Sequence, residues 1–339
     1  LNDQSIYFIA RGFAAYLTKL GIKDCIVGFD ARSTSESFHN SAIKGLNESG
    51  INVIDIGTAT TPMSYWAQYY LKTKGLMMVT ASHNPAGWNG VKLGTDFSST
   101  LLAEGINEVY RIIEKEEFVD GAGTVRKEEI KEAYENDLIS RAKITKKFKI
   151  LVNTGNGTAG LFAPDLLRKA GCEVAEHLTN VDPTYPNYTA NPDGTAMMED
   201  TGKQTVDNNC DLGFAFDGDA DRLGLVDEKG NTIWTKTFGG AANEEANEVI
   251  FSSDGNLLIL GNTSSYGAGG NDVYLLKIDT TGALLWQKNY GGAANESGED
   301  IMQTPDGNYM ISGATASYGS GARDMYVLKI NTFGTVICS

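Results

Sequence analysis

The sequence has few of the residues that build thiolate metal sites, disulfide frameworks or membrane spans. Its four cysteines, Cys25, Cys172, Cys210 and Cys338, are far apart, without a Cys-x-x-Cys pair or a neighbouring histidine. This spacing argues against a zinc motif and a disulfide framework, and it suits a reducing compartment. No apolar run reaches the roughly 20 residues that a helix needs to cross a bilayer. The first residues also lack the basic and apolar regions of a signal peptide, although Leu1 is not an initiator methionine.

Positive charge is scarce as well. The 28 Lys and Arg residues face 43 Asp and Glu residues, which gives a net charge of -15. This excess repels nucleic acid and anionic membrane surfaces, so we expect neither as a partner. A phosphorylated ligand would need a local group of cations. The 339 residues, 41% of them hydrophobic, suffice for two or three globular domains.

Up to about residue 230, helix and strand patterns alternate. Apolar residues at helical spacing end at Gly21, and the run DCIVGF then predicts a buried strand. The following segments predict helices at 35–49 and 62–71 and strands at 52–56 and 76–80. For this βαβαβ order we expect a parallel sheet covered by helices on both faces.

A charged helical stretch, 104–147, is predicted to connect this domain to a second α/β domain, with the boundary near residue 147. The second domain is predicted to contain a strand at 149–153, a helix at 159–169 and strands at 173–176 and 212–216. We therefore expect two α/β domains of related layout, at 1–147 and 148–234.

After Trp234 the helical periodicity disappears, and the sequence repeats itself with an offset of 52 residues. Trp234 matches Trp286, and Lys277 matches Lys329. Each copy contains four apolar runs, and an Asp-Gly turn signal separates the first two. The segment 235–339 thus predicts two four-stranded, blade-like repeats that resemble those of bacterial β-propellers. Two blades cannot close a propeller, so we expect open sheet edges and self-association through them.

The predicted strand at 76–80 is followed by Ala81-Ser82-His83-Asn84-Pro85. A serine just beyond the carboxyl end of a parallel strand lies in the crevice where α/β sheets bind ligands. Taken alone, a turn before Pro85 is the simpler interpretation of Ser82 and Asn84. His83 alone is equally typical of an ordinary surface histidine.

The predicted strand at 212–216 is followed by Asp217-Gly218-Asp219-Ala220-Asp221-Arg222. Three carboxylates at alternate positions of a loop can converge on one hard cation such as Mg²⁺. An EF-hand is a rival interpretation, since Glu228 occupies its twelfth position. It fails because Arg222 stands where that loop needs glycine and because strands flank the loop. A solvated acidic turn remains as an alternative.

Arg32 ends the segment Gly28-Phe29-Asp30-Ala31-Arg32, beyond the carboxyl end of another predicted strand. A guanidinium group there can hold a phosphate in bidentate fashion. An ion pair with Asp30 or Glu36 is an equally good interpretation of Arg32.

In combination, TASHNP and DGDADR resemble the α-D-phosphohexomutase superfamily of the bacterial phosphomannomutase/phosphoglucomutase type, from Leu1 to about Trp234. The resemblance implies two three-layer α/β domains and a phosphoryl group carried by Ser82. It implies one Mg²⁺ held by phosphorylated Ser82 together with three carboxylates, those of Asp217, Asp219 and Asp221. It further implies roles in proton transfer or charge stabilisation for His83 and Lys92, and contacts with the phosphate region for Arg32 and Arg222.

The implied reaction is transfer from phosphoserine to a hexose monophosphate, with a hexose 1,6-bisphosphate as intermediate and activator. The result is interconversion of glucose or mannose 1-phosphate and 6-phosphate in the cytoplasm. Measured against the family, the first strand, part of the second domain and the third and fourth domains are absent, so we expect impaired activity. A magnesium-dependent phosphatase is a weaker alternative, since it leaves TASHNP without a role. A non-enzymatic β-repeat binding protein, of a secreted or surface type, is the other alternative.

The segment VDEKGNTIW, which ends at Trp234, also fits the repeat's own IDTTGALLW 52 residues later. We therefore hypothesise that two unrelated coding sequences were joined at this short similarity.

Overall fold

The computed structural model describes residues 1–142, 144, 146–232, 238–280 and 282–338. The chain divides into two compact units, Leu1–Ile233 and Trp234–Ser339. The predicted junction at Trp234 lies outside the described residues. Among the helices that are described, none is long and apolar enough to cross a membrane.

The first sheet is built from the predicted alternation of helices and strands. Its first elements are α1 (Asp3–Lys19), β1 (Asp24–Phe29), α2 (Ser35–Glu48), β2 (Asn52–Thr58), α3 (Thr61–Leu71) and β3 (Gly75–Val79). Strand β1 lies between β2 and β3 and is parallel to both. The predicted βαβαβ unit is confirmed, with bounds that differ by no more than two residues.

Helices cover both faces of this sheet because successive strand residues point to opposite sides. Cys25 and Val27 pack in one apolar cluster with residues of α1 and α2. Ile26, between them, packs in a second cluster with Met63 and Ala67 of α3. The near-continuous apolar strands of the sequence are therefore explained by burial on both faces.

The three strands of the predicted unit are parallel, but the sheet as a whole is mixed. β4 (Val91–Asp96) runs antiparallel to β3, and β5 (Ser99–Thr100) antiparallel to β4. The connection from β3 to β4 contains no helix, and a parallel return needs a crossover of a dozen or more residues. The chain therefore turns back, and Ser82 lies in the connecting loop.

The charged stretch 104–147 was predicted as a helical connection, and this was only partly right. It contains α4 (Ala103–Glu114) and α5 (Lys131–Arg141), but between them β6 (Val125–Lys127) joins the first sheet beside β2. The sheet order is β5-β4-β3-β1-β2-β6. Because β6 is short, charged and at the edge of the sheet, its sequence carries no strand pattern.

The second sheet has the order β10-β9-β7-β8, and β10 is antiparallel to β9. Its elements are β7 (Lys149–Asn153), α6 (Ala163–Lys169), β8 (Glu173–His177), α7 (Thr195–Asp207), β9 (Leu212–Phe216) and β10 (Leu223–Val226). The helix predicted at 159–169 is divided into a 3₁₀ turn, Thr158–Leu161, and α6. Pro164 lies in the first turn of α6, where its missing N–H is tolerated. α7 was not predicted.

The C-terminal unit contains two four-stranded antiparallel sheets. The first consists of β11 (Glu244–Phe251), β12 (Leu257–Thr263), β13 (Asp272–Ile278) and β14 (Leu284–Tyr290). The second consists of β15 (Glu296–Gln303), β16 (Tyr309–Thr315), β17 (Asp324–Ile330) and β18 (Val336–Cys338). Corresponding strands begin 52 residues apart. The Asp-Gly turns are present, with Gly255 and Gly307 at φ 80° and 81°.

Candidate active site

Ser82 lies in the loop after β3 with a backbone φ of 50°, a conformation that few non-glycine residues adopt. Its N–H donates to Thr80 Oγ1 at 2.9 Å. Its hydroxyl donates to Asp217 Oδ2 at 3.0 Å and lies 3.3 Å from His83 Nδ1. The segment is thus a turn, and the turn directs the serine hydroxyl at the aspartate loop.

The aspartate loop connects β9 to β10, so strands flank it and the EF-hand interpretation is excluded. Carboxylate oxygens of Asp217, Asp219 and Asp221 lie within 4.8 Å of one another. Asp217 and Asp219 are fully buried, and Asp219 Oδ1 has no hydrogen-bond partner. A buried carboxylate oxygen without a donor is costly. Three convergent oxygens with one left unpaired fit Mg²⁺.

The three carboxylates of this loop repel one another, and two of them, those of Asp217 and Asp219, are held away from water. Burial, and then the nearby carboxylates of Asp219 and Asp221, raise the pKa of Asp217 to about 7. Burial also works against ionisation of Asp219, but the ammonium of Lys92 and the hydrogen bond from Thr61 together outweigh it and lower the pKa of that carboxyl. The loop therefore needs added positive charge to ionise fully near neutral pH.

Lys92 supplies part of that positive charge, and Thr61 adds hydrogen bonds to Asp219. Lys92 Nζ, on β4, donates to Asp219 Oδ2 at 2.8 Å and to Asp221. Thr61, at the start of α3, donates its hydroxyl to Asp219, and its N–H donates to Asp219 O at 3.0 Å. Sequence reasoning missed Thr61. Its position just after the carboxyl end of β2 was the available signal, since site residues cluster at that edge.

Arg32 is buried, and all five of its guanidinium N–H positions are directed at acceptors within the protein. Nε donates to Asp30 Oδ2 at 3.1 Å, so the ion pair considered from the sequence is present. Its other N–H groups donate to four backbone oxygens of the loop after β3, those of Ser82, Asn84, Pro85 and Trp88. Arg32 therefore clamps the loop that carries Ser82.

Two residues that sequence reasoning missed complete this clamp. The ring of Tyr185 lies 5.3 Å from the guanidinium carbon of Arg32, and burial raises the pKa of its phenol to about 12. A side chain at Gly218 would approach Ser82 O to 2.4 Å, so only glycine allows the two loops to meet. Glycine between two aspartates was a signal for this close approach, whereas nothing in the sequence marked Tyr185.

Arg222 is placed differently from the other predicted residues. Its backbone N–H donates to Asp217 Oδ1 at 3.1 Å, but its half-exposed guanidinium donates to Asp193 Oδ2 at 2.7 Å. The structure thus gathers most of the predicted side chains into one cluster: Arg32, Ser82, His83, Lys92, Asp217, Asp219 and Asp221. The charged end of Arg222 has its partner outside that cluster.

Two family models match this part of the chain. Residues 1–120 match the model of phosphoglucomutase/phosphomannomutase alpha/beta/alpha domain I, and residues 128–230 match that of domain II. This part of the chain therefore belongs to the phosphoglucomutase/phosphomannomutase family.

Individual proteins of this family are also similar to the chain in sequence and structure. The chain is 37% identical over 238 residues to a phosphoglucomutase of Neisseria gonorrhoeae, a match that covers 69% of this chain and 51% of the relative. It is 30% identical over 297 residues to a phosphomannomutase/phosphoglucomutase of Pseudomonas aeruginosa, covering 84% and 64%. The crystal structure of a phosphoglucomutase/phosphomannomutase family protein from Burkholderia thailandensis superimposes with a TM-score of 0.66 at 28% identity, covering 69% and 53%. The chain thus spans about half the length of the first relatives it matches.

Proposed function

We propose that this chain transfers a phosphoryl group between Ser82 and a hexose phosphate. The observation that carries the proposal is the 3.0 Å hydrogen bond from the Ser82 hydroxyl to Asp217, one of three aspartates grouped beside it. Asp217, Asp219 and Asp221, with the phosphate on Ser82, would hold one Mg²⁺. When bound, that ion supplies positive charge that stabilises the transferring phosphoryl oxygens.

The protein's own residues would orient the serine and move protons. In the forward half-reaction, the bond from phosphorus to Ser82 Oγ breaks and a bond to a sugar hydroxyl oxygen forms. The sugar hydroxyl loses its proton to solvent, and Ser82 Oγ regains one. His83 Nδ1, 3.3 Å from Ser82 Oγ, is the group that we assign to that second proton transfer. Lys92, already paired with Asp219 and Asp221, is assigned to charge stabilisation.

For the two arginines we propose different roles. Arg32 acts as a positioning residue, because its N–H groups are engaged by Asp30 and by the loop that carries Ser82. Arg222 retains the proposed contact with the phosphate region, since its guanidinium is half exposed and needs only to exchange Asp193 for a phosphate oxygen.

The proposed substrates are glucose and mannose 1- and 6-phosphates, with the 1,6-bisphosphate as intermediate and activator, in the cytoplasm. Support comes from the names of the relatives, which are phosphoglucomutases and phosphomannomutases. The match spans about half of the first of these proteins, and the half-reaction at Ser82 is the step that the residues of this chain support.

The domain limits that we propose are 1–147 and 148–234 for two three-layer α/β domains, the second incomplete, and 235–339 for two propeller-type blades. A second candidate function, binding by the β-repeats without catalysis, is favoured by apolar side chains exposed on the two C-terminal sheets, such as Phe251 and Met325.

Intact-mass measurement after incubation with glucose 1,6-bisphosphate and Mg²⁺ tests the half-reaction. We expect the mass to increase by one phosphate in the parent and in a control variant, Ser99→Ala, which removes a serine at the edge of the sheet. The Ser82→Ala variant should gain none. An unmodified parent, or a phosphate that persists in Ser82→Ala, would refute the proposal and leave the binding function as the better candidate.

A further inference from the structure

Asp219 of the aspartate loop is hydrogen-bonded through only one of its two side-chain oxygens. Lys92 Nζ donates to Oδ2 at 2.8 Å, and the hydroxyl of Thr61 donates to the same oxygen. Among the described residues, no donor reaches Oδ1, although that oxygen is buried. The carboxylate is therefore turned so that one oxygen is held by the protein and the other remains for a cation.

Lys92 by itself does not fix this orientation. Its ammonium also donates to Asp221, and a lysine ammonium is a compact charge on a flexible stem, so it can bind either oxygen of a carboxylate. Thr61 differs in both respects. It is fully buried, and its branched side chain has few accessible rotamers. The Thr61 hydroxyl therefore meets Asp219 from a fixed point.

Thr61 also bonds to Asp219 through the backbone. As the first residue of α3, it has an N–H group without a partner inside the helix, and this N–H donates to Asp219 O at 3.0 Å. Helix α3 is itself packed on the first sheet through Met63 and Ala67. Two bonds from one residue on a rigid helix thus fix both the position of Asp219 and the rotation of its carboxylate.

We propose that Thr61 is a positioning residue for the metal, which turns Asp219 so that Oδ1 is presented to Mg²⁺. The inference rests on the proposed function, since it concerns the same magnesium site. Thr61 would act only through Asp219. Replacing such a hydrogen-bond partner of a metal ligand typically lowers metal affinity by about 10- to 100-fold. The proposal assigns a role in metal binding to a residue outside both the TASHNP and the DGDADR segments.

The proposal also ties metal binding to the contact between the two α/β domains. Thr61 lies in the part of the chain that matches domain I, and Asp219 in the part that matches domain II. Coupling between two binding events is reciprocal. Mg²⁺ that favours the oriented Asp219 should therefore stabilise the contact with Thr61 in return.

Thr158 offers a matched control from the other side of this contact. It is also a buried threonine whose hydroxyl bonds across the two domains, since its Oγ1 accepts from the N–H of Ala31 at 2.9 Å. The partner of this hydroxyl is a backbone group and not a carboxylate of the aspartate loop. Valine at either position keeps a similar side-chain shape and removes the hydroxyl.

Calorimetric titration of the full chain with MgCl₂ tests the proposal. We expect the parent to bind one Mg²⁺ and Thr61→Val to bind it about tenfold more weakly. Thr61→Ser, which keeps the hydroxyl, and the control Thr158→Val should both bind within about twofold of the parent. Thr61→Val should keep the parent's circular dichroism, because Asp219 Oδ2 retains Lys92 as a donor.

Thermal unfolding with and without Mg²⁺ gives a second measurement. Since stabilisation by a ligand follows its affinity, the rise in melting temperature at a fixed Mg²⁺ concentration should be smaller in Thr61→Val than in the parent or in Thr61→Ser. A rise of equal size in Thr61→Val would contradict a role of Thr61 in metal binding.

The outcomes separate this inference from the proposed function. If Thr61→Val binds Mg²⁺ within about twofold of the parent, the inference alone fails, because phosphorylation of Ser82 tests the proposed function independently. An equal loss of affinity in Thr158→Val would also overturn it, since domain contact in general would then set the affinity. A parent that binds no Mg²⁺ would refute the inference, and the proposed function fails with it if Ser82 also gains no phosphate.

Discussion

Replacing Arg32 by lysine separates the clamping of the Ser82 loop from binding of the substrate phosphate. Lysine keeps the positive charge beside buried Asp30 but has one ammonium group, which cannot reach all of the oxygens that Arg32 contacts. Each acceptor left unpaired away from water costs about 1–3 kcal/mol, but some carbonyls of the loop can meet solvent. We therefore expect the free energy of unfolding to fall by about 2–4 kcal/mol. Urea-induced unfolding measures this free energy.

Kinetics distinguish the two roles. If Arg32 positions the loop, the maximal rate of Ser82 phosphorylation should fall in Arg32→Lys, while the half-saturating concentration of glucose 1,6-bisphosphate stays within about twofold. Arg222→Lys is the matched control for the stability measurement, because its half-exposed ion pair with Asp193 is expected to contribute less than about 0.5 kcal/mol. An Arg32→Lys protein with parental stability and a strongly raised half-saturating concentration would refute the positioning role.

Two further predictions concern the metal site and the repeats. Asp217, with a pKa of about 7, must lose its proton to bind Mg²⁺. The affinity for Mg²⁺ in calorimetric titrations should therefore fall by about tenfold from pH 8 to pH 6. An affinity that is unchanged over this range would contradict the role of Asp217 as a ligand. In the repeats, Lys277 is buried beside Asp254 and Tyr309, whereas its counterpart Lys329 is partly exposed beside Asp306. We therefore expect Lys277→Ala to destabilise the unit by about 3 kcal/mol and Lys329→Ala by less than about 1 kcal/mol in thermal unfolding; equal losses would be inconsistent with the difference in burial.

Local pattern was sufficient for most elements of the fold. DCIVGF predicted β1 with its observed bounds, because a strand buried on both faces is continuously apolar. The Asp-Gly signals predicted hairpins because few residues other than glycine adopt positive φ easily. β6 was not predicted, since a three-residue exposed strand acquires its identity from pairing with β2 and not from its own residues.

The sequence predicted the reactive residues of the candidate site but not the residues that hold them in place. Ser82 and the three aspartates stand in short motifs whose chemistry is readable from residue type and spacing. Thr61 and Tyr185 come from segments more than 90 residues apart in the chain, and they reach the site only through tertiary contacts. Arg32 was identified from the sequence. Its hydrogen bonds to the loop carbonyls and to Asp30 form only once the loop after β3 is folded around it.

The sequence by itself thus determined the βαβαβ unit, the serine and aspartate motifs and the 52-residue repeat, because each depends on neighbouring residues or on internal similarity. Tertiary structure decided the antiparallel return after β3, which brings Lys92 to Asp219, and the clamp that Arg32 forms. It also decided how the two C-terminal sheets pack on each other. These features depend on contacts between distant segments, and their free energy exists only when both segments are in place.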